Sequence, residues 1–290
     1  MIAIVSHDAG GAEMLSSHVR RQDLACIYSL AGPAVHIFER KLGKIGLVPL
    51  DEAIRKCDWL LCGTSWQSDL EWRAIGSAKE CGKKSVAFLD HWVNYRERFI
   101  RNGDMRLPDE VWVGDTHAER IAHDELPEVV INMAGNPYFE DLKMELAAIA
   151  VPERKGCGLN VLIVTEPLRE HGLQQFGDER HWGYTEEEAL NHFLSNLHVL
   201  GQPVGRISIR PHPSEPEDKY DWVAREYKLP IARGGLKTLL EEIAEHDVVV
   251  GFESMAMIVG LLANKPVCSC IPPGGTEMRL PYMEIRRLFT

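Results

Sequence analysis

The chain has no apolar run approaching the roughly 20 residues that a membrane span needs, so spanning transporters and channels drop out. It has little basic charge, 32 Lys and Arg against 43 Asp and Glu, which excludes a general nucleic-acid coat because phosphate backbones demand positive patches. Paired cysteine spacing is missing too. The seven cysteines (26, 57, 62, 81, 157, 268, 270) are scattered and mostly in apolar segments, with neither CxxC nor a Cys/His pair, so they read as small buried thiols in a reducing compartment. The glycine fingerprint GxGxxG of dinucleotide folds is absent, which disfavours nicotinamide chemistry. Nor is there a DxD-type metal pair, and the histidines at 117, 123, 171, 181, 192 and 198 lack paired ligand spacing, so no metal is expected. The opening MIAIVSHDAGG enters a strand directly, without the charged start, apolar core and cleavage site of a signal peptide, and the expected location is cytoplasmic.

What remains is an alternation of short apolar strands and amphipathic helices. Strands are expected at Ile2–Ser6, 26–32, 58–63, 85–89, 110–114 and 129–133, with helices at 12–20, 34–42, 69–81 and 115–123. A segment VPERKGCG (151–158) has the Pro, Gly and charge of a linker. A second series follows, with strands at 160–165, 206–210, 229–232, 248–250 and 267–270 and helices near 186–200, 218–226 and 236–246. TEEE (185–188) reads as a helix start, its acids favourable to the helix dipole. The expected architecture is α/β, two Rossmann-like domains (1–145 and 158–290) with a cleft between them, hinged near the linker.

The chemistry concentrates where strands end, since open α/β sheets collect ligands at their carboxyl edges. RISIRPHPSEPED (206–218) ends a strand in Arg210, His212 and Pro213, while HDVVVGFESMAMIVGLLANKPV (246–267) runs through Phe252, Glu253, Ser254 and Met255 into a helix. A helix start offers unpaired N–H groups and partial positive charge to a phosphate. In the loop SHDAGGAE (6–13), His7 or Asp8 has the chemistry of a general base, and Gly10 and Gly11 permit a tight turn; capping of the following helix is the bland alternative for the pair. FLDHWVNYRERF (88–99) supplies Asp90 and His91 as further catalytic candidates and Tyr95, Arg96 and Arg98 as cleft lining. Thr64, Ser65, Thr165, Glu166 and His171 follow other strand ends and complete the list of cleft residues. Glu241, Glu242 and Glu245 read as the solvated face of a helix.

Two such halves, with AGNPYFED closing the first, NVLIVTEPL opening the second, then RPHP and GFESMAMIVGLLANKPV, resemble the GT-B glycosyltransferase superfamily. The likeness is to bacterial enzymes of capsule, lipopolysaccharide and teichoic-acid assembly. It implies that His212-Pro213 and Glu253-Ser254 hold the phosphates of a nucleotide-sugar donor on the second half. It further implies an acceptor glycan on the first half, approached at the membrane surface if lipid-linked, and a base in the first loop. No cofactor is implied, since the nucleotide sugar is substrate. A sugar-nucleotide hydrolase or epimerase on the same scaffold, or a non-catalytic nucleotide-sugar binder, are the competing expectations.

Overall fold

A computed structural model describes residues 1–22, 24–66, 68–151 and 156–288; residues 152–155 of the expected linker lie outside the described residues. The chain divides into two compact units, Met1–Asp141 and Leu142–Thr290. In the first, strands β1 (Ile2–Ser6), β2 (Cys26–Leu30), β3 (Trp59–Cys62), β4 (Lys84–Phe88), a short pair β5 (Ile100–Arg101) and β6 (Asp104–Met105), β7 (Glu110–Val113) and β8 (Val130–Met133) alternate with helices. The helices are α1 (Ala9–Gln22), α2 (Pro33–Leu42), α3 (Leu50–Lys56), α4 (Leu70–Glu80) and α5 (Thr116–Glu125), and α6 (Pro137–Ala148) runs across the boundary into the second unit. β1 is buried along its whole length, as a parallel strand covered by helices on both faces must be.

The first sheet runs β2-β1-β3-β4-β7-β8, every pair parallel. The chain therefore moves outward from β1 to β2, then returns to the other side of β1 for β3. That reversal is a topological switch point, and it puts the ends of β1 and β3 side by side. Outside β2, Tyr28 makes a single parallel bridge with Leu47, the remnant of a further strand.

The second unit contains β9 (Leu159–Val164), β10 (Val204–Arg210), β11 (Ile231–Arg233), β12 (Val248–Gly251), β13 (Val267–Ser269) and β14 (Ile285–Arg287). Its helices are α7 (Leu168–Phe176), α8 (Glu186–Ser195), α9 (Asp221–Glu226), α10 (Leu239–Glu245) and α11 (Met255–Leu262). The sheet order is β11-β10-β9-β12-β13-β14, again parallel, with the reversal between β9 and β12. With the Leu47 bridge counted as a strand, the first sheet has this same order with one further strand, β8, at its far edge. Each unit has its own core, centred on Ile4, Leu15, Phe38, Leu61 and Phe88 in one and on Ile163, Phe193, Ile209, Val250 and Phe252 in the other.

Six elements depart from the sequence expectations. α1 begins at Ala9, so Gly10 and Gly11 are its first turn and not a loop. Their lack of side chains serves close approach: a Cβ on Gly10 would sit 1.8 Å from Asp90 Oδ2, and one on Gly11 3.2 Å from the Cα of Gly63. α7 carries Gly172 in its interior, which weakens its helical signal; a Cβ there would meet the Asp178 carbonyl at 2.5 Å. α3 and the two- and three-residue strands β5, β6 and β14 are too short to leave a period. TEEE does start α8, through a capping box in which Thr185 accepts from the Glu188 amide and Glu188 from that of Thr185.

Candidate functional site

In the first unit the register sets Val5, Cys62 and Ala87 level across β1, β3 and β4. Three residues beyond each lie Asp8, Ser65 and Asp90, which brings the sequence candidates to one edge at the switch point. His7 Nδ1 lies 2.7 Å from Asp8 Oδ1. A carboxylate oxygen accepts here, so Nδ1 carries the proton, and in the neutral tautomer that this selects, Nε2 keeps its lone pair. Asp8 Oδ2 accepts from the Trp66 amide at 2.8 Å, so the carboxylate ties the imidazole to the end of β3 instead of capping α1. The imidazole is one-fifth exposed, and Gly32 leaves it room, since a Cβ there would come within 2.5 Å of Nε2.

Beneath this pair lies Glu71, which the sequence reading missed. It is almost fully buried in the first turn of α4, where its Oε1 accepts from the His7 amide at 2.7 Å and from Ser65 Oγ at 2.8 Å. Burial pushes its carboxyl above the usual range, partly offset by those two donors. Nothing in DLEWRAI separates this glutamate from an exposed helix-start acid. Trp66, half exposed beside Asp8, was likewise not singled out.

Several candidates prove to be support. Arg98 is buried, and its Nη1 donates to Thr64 Oγ1 at 3.0 Å and to Asp90 Oδ1 at 3.2 Å. Thr64 and Ser65 are buried by these bonds and do not line a surface. Asp90, packed against Gly10, has a structural partner in Arg98. Tyr95 is wholly buried and unable to stack on a ligand; Arg96 turns to Glu128 (2.8 Å) and to the Glu125 carbonyl. Their backbone amides both reach Glu125, so this loop is anchored by its own polar groups, which is why its aromatic and arginine content misled. His91 accepts from the Trp92 amide at 3.0 Å.

In the second unit Val164 is level with Arg210 across β9 and β10, and Ile163 with Val250 across β9 and β12. Thus Glu166, His212 and Glu253 come off the three central strands together, spanning about 10 Å at two strand spacings. Glu215 organises the loop: its Oε2 accepts from the His212 amide (2.8 Å) and Thr165 Oγ1 (2.6 Å), its Oε1 from Tyr220 OH (2.7 Å) and Lys219 Nζ (2.9 Å). Those donors hold its carboxyl below the usual range against the opposing effect of burial. Lys219 also pairs with Glu170 at 3.0 Å and with the fully buried Glu186. The carboxylates of Glu170, Glu186 and Glu215 converge closely enough for a metal ion, but the ammonium sits among them and is the cation they hold.

His212 itself is exposed, with Nδ1 2.7 Å from Ser214 Oγ. Arg210 donates to Glu242 (2.7 Å) and to the Lys237 carbonyl (2.9 Å); with His212 and Pro213 it lines a depression of about 270 Å³ bordered by Arg233 and Gly235. Glu242 is therefore a buried partner of Arg210 and not part of a solvated face. Ser254 is the N-cap of α11, yet its Oγ is buried without a partner among the described residues. Met255 opens the helix and is partly buried. Two expectations fail here. Phe252 belongs to the core, and the Glu253 carboxylate is gripped by Arg279 at 3.0 to 3.3 Å, so neither side chain is presented to a ligand. Glu166 Oε1 accepts from the Glu253 amide at 2.8 Å; burial, and after it the neighbouring Glu253 charge, push this carboxyl up to about 7. His171 is an exposed residue of α7. Among the described residues no helix is long and apolar enough to cross a membrane.

Neither a family model nor a curated protein sequence matches the chain. Solved structures do. The UDP-GlcNAc 2-epimerase of Methanocaldococcus jannaschii aligns with a TM-score of 0.58 at 10% identity, over 92% of this chain and 83% of that one. The kitacinnamycin glycotransferase aligns at 0.57 and 16%, over 99% and 85%. A putative UDP-N-acetylglucosamine 2-epimerase of Listeria monocytogenes aligns at 0.57 and 12%, over 92% and 78%. At these identities the likeness defines the fold, and the chain is α/β with two parallel-sheet units of the GT-B type.

Proposed function

We propose that the protein is a glycosyltransferase that moves a sugar from a nucleotide-sugar donor to a hydroxyl of a glycan or lipid-linked acceptor. The observation that carries this reading is the His7–Asp8 pair at the switch point of the first unit, with Nδ1 held at 2.7 Å and Nε2 left as a base. A binding protein has no use for an oriented imidazole. In the transfer, Nε2 takes the acceptor hydroxyl proton as the oxygen bonds to the anomeric carbon, and Asp8 stabilises the imidazolium. The bond to the leaving phosphate breaks and its electrons stay on the phosphate. Donor groups suited to such a charge are present in the second unit, in His212, the Ser254 hydroxyl and the first amides of α11, which have no intrahelical partners. The motif resemblance to bacterial surface-polysaccharide enzymes supports that setting for the acceptor. The solved neighbours include 2-epimerases as well as a glycotransferase, which keeps acceptor dependence the deciding property.

The donor site has a direct test. A nucleotide that binds only the folded protein raises its melting temperature by mass action. In a screen of CDP, CMP, UDP, GDP and ADP, at least one is expected to do so, and His212→Ala and Ser254→Ala are each expected to abolish that shift. The unliganded melting temperature should not fall, because His212 is exposed and the Ser254 hydroxyl has no partner to lose among the described residues. Retention of the full shift in both variants would remove the phosphate site.

A further inference from the structure

The amide just ahead of α11 already holds an anion. Glu166, leaving β9, reaches across the switch point so that its Oε1 accepts from the Glu253 N–H at 2.8 Å. The neighbouring hydroxyl, Ser254 Oγ, is buried and has no hydrogen-bond partner among the described residues. A buried polar group left unsatisfied costs free energy unless a partner arrives. Glu166 and Ser254 thus border the same strand-to-helix turn, one holding an amide of it and the other awaiting a partner.

We propose that Glu166 is the internal occupant of the phosphate site: in the unliganded protein its carboxylate takes the Glu253 amide, and a ligand phosphate is accommodated only when Glu166 gives up its charge or its place. This rests on the reading of the α11 start as the phosphate site. The physical reason is like-charge repulsion, since a carboxylate and a phosphate sharing one partly buried turn cannot both stay ionised without cost. A proton from solvent settles the conflict. The neutral carboxyl keeps its carbonyl oxygen on the Glu253 amide and turns its O–H toward a phosphate oxygen, adding a donor where there had been a repelling charge.

The groups around Glu166 favour this outcome. Glu253 and, farther away, Glu215 oppose its ionisation; Arg279 from the β13–β14 connection favours it, but its guanidinium is committed to Glu253. Tyr184 ahead of α8 and Cys270 after β13 also face it, and burial holds both in their neutral forms. Half-titration near neutral pH means the exchange falls within the ordinary working range.

Isothermal calorimetry tests the exchange, using CDP, UDP, GDP and ADP and buffers of different ionisation enthalpy. Nucleotide phosphates lose their last proton near a pKa of about 6, and the ring N–H groups of uracil and guanine ionise only above about pH 9, so from pH 7.5 to 8.5 the ligands' charge is nearly constant and linked protons belong to the protein. In that range wild-type affinity should fall about tenfold per pH unit, the slope of one linked proton, with proton uptake approaching one per ligand. Glu166→Gln, which keeps the oxygen on the Glu253 amide, should bind with no such slope and about tenfold more tightly than wild type at pH 8. Equal, pH-independent affinity in wild type and variant overturns the placeholder while sparing the phosphate site. Absence of binding to the wild type by all four nucleotides and by CMP overturns both. The wild-type pH series stands alone if the variant misfolds.

Discussion

Replacing His7 by alanine is expected to lower turnover by roughly a hundredfold or more, the range of general acid–base catalysis, and to leave nucleotide affinity within a few-fold of the parent. The two quantities separate because a base works on the acceptor hydroxyl in the transition state and has little part in binding the donor. Asp8→Asn attacks the same device differently. An amide placed at 2.7 Å from Nδ1 still bonds the ring, but its NH2 can donate, which favours the tautomer with the proton on Nε2 and so removes the base. It should therefore lose turnover while keeping the fold, and its loss combined with that of His7 should be far from additive, because the two act as one unit. Parental turnover in both variants would move the base elsewhere, with His91 the next residue to test and Asp90 after it, given its commitment to Arg98.

The largest loss of stability is expected at Lys219, away from any reacting atom. Its ammonium is the shared cation of Glu170, Glu186 and Glu215, of which Glu186 and Glu215 have fully buried side chains. Lys219→Met removes the charge and leaves two buried carboxylates facing each other, and breaking such a buried pair from one side typically costs about 3–5 kcal/mol. The urea midpoint of the second unit should drop accordingly. Because Glu215 also holds the His212 amide, nucleotide binding should weaken in the same variant. An unfolding free energy within about 0.5 kcal/mol of the parent, the ordinary scatter of surface substitutions, would show that the carboxylates find protons or water instead.

Much of this was legible in the sequence because a parallel sheet writes itself as buried apolar runs, and strand ends are where such runs stop. VSHD, LCGTS, LIVTEP and SIRPHP each mark the carboxyl end of a strand, and register brings the first two together in one unit and the last two together in the other, as the alternation implies. The pairing of His7 with Asp8 was visible as adjacency, but its geometry was not: two neighbours on one strand end normally diverge, and only the Trp66 amide, drawn from β3, turns the Asp8 carboxylate toward the ring. Residues that act by holding others were the ones missed. Glu71, Glu215 and Lys219 look like solvated charges, because the groups that bury them come from segments distant in sequence. The opposite error befell Tyr95, Arg96, Phe252 and Glu253, whose residue types suit a ligand but whose partners are Glu125, Glu128, the core and Arg279.

The measurement that bears most directly on the central claim is the fate of the donor sugar with and without acceptor. With the nucleotide identified by thermal shift, its sugar-charged form is incubated with the wild-type protein and a panel of glycan acceptors, and products are followed by mass spectrometry. The account predicts that the sugar appears on an acceptor and that donor loss is slow when acceptor is withheld, with His7→Ala suppressing transfer. Donor breakdown or inversion of a sugar carbon at the same rate without any acceptor would contradict it, and would identify a hydrolase or an epimerase on this scaffold.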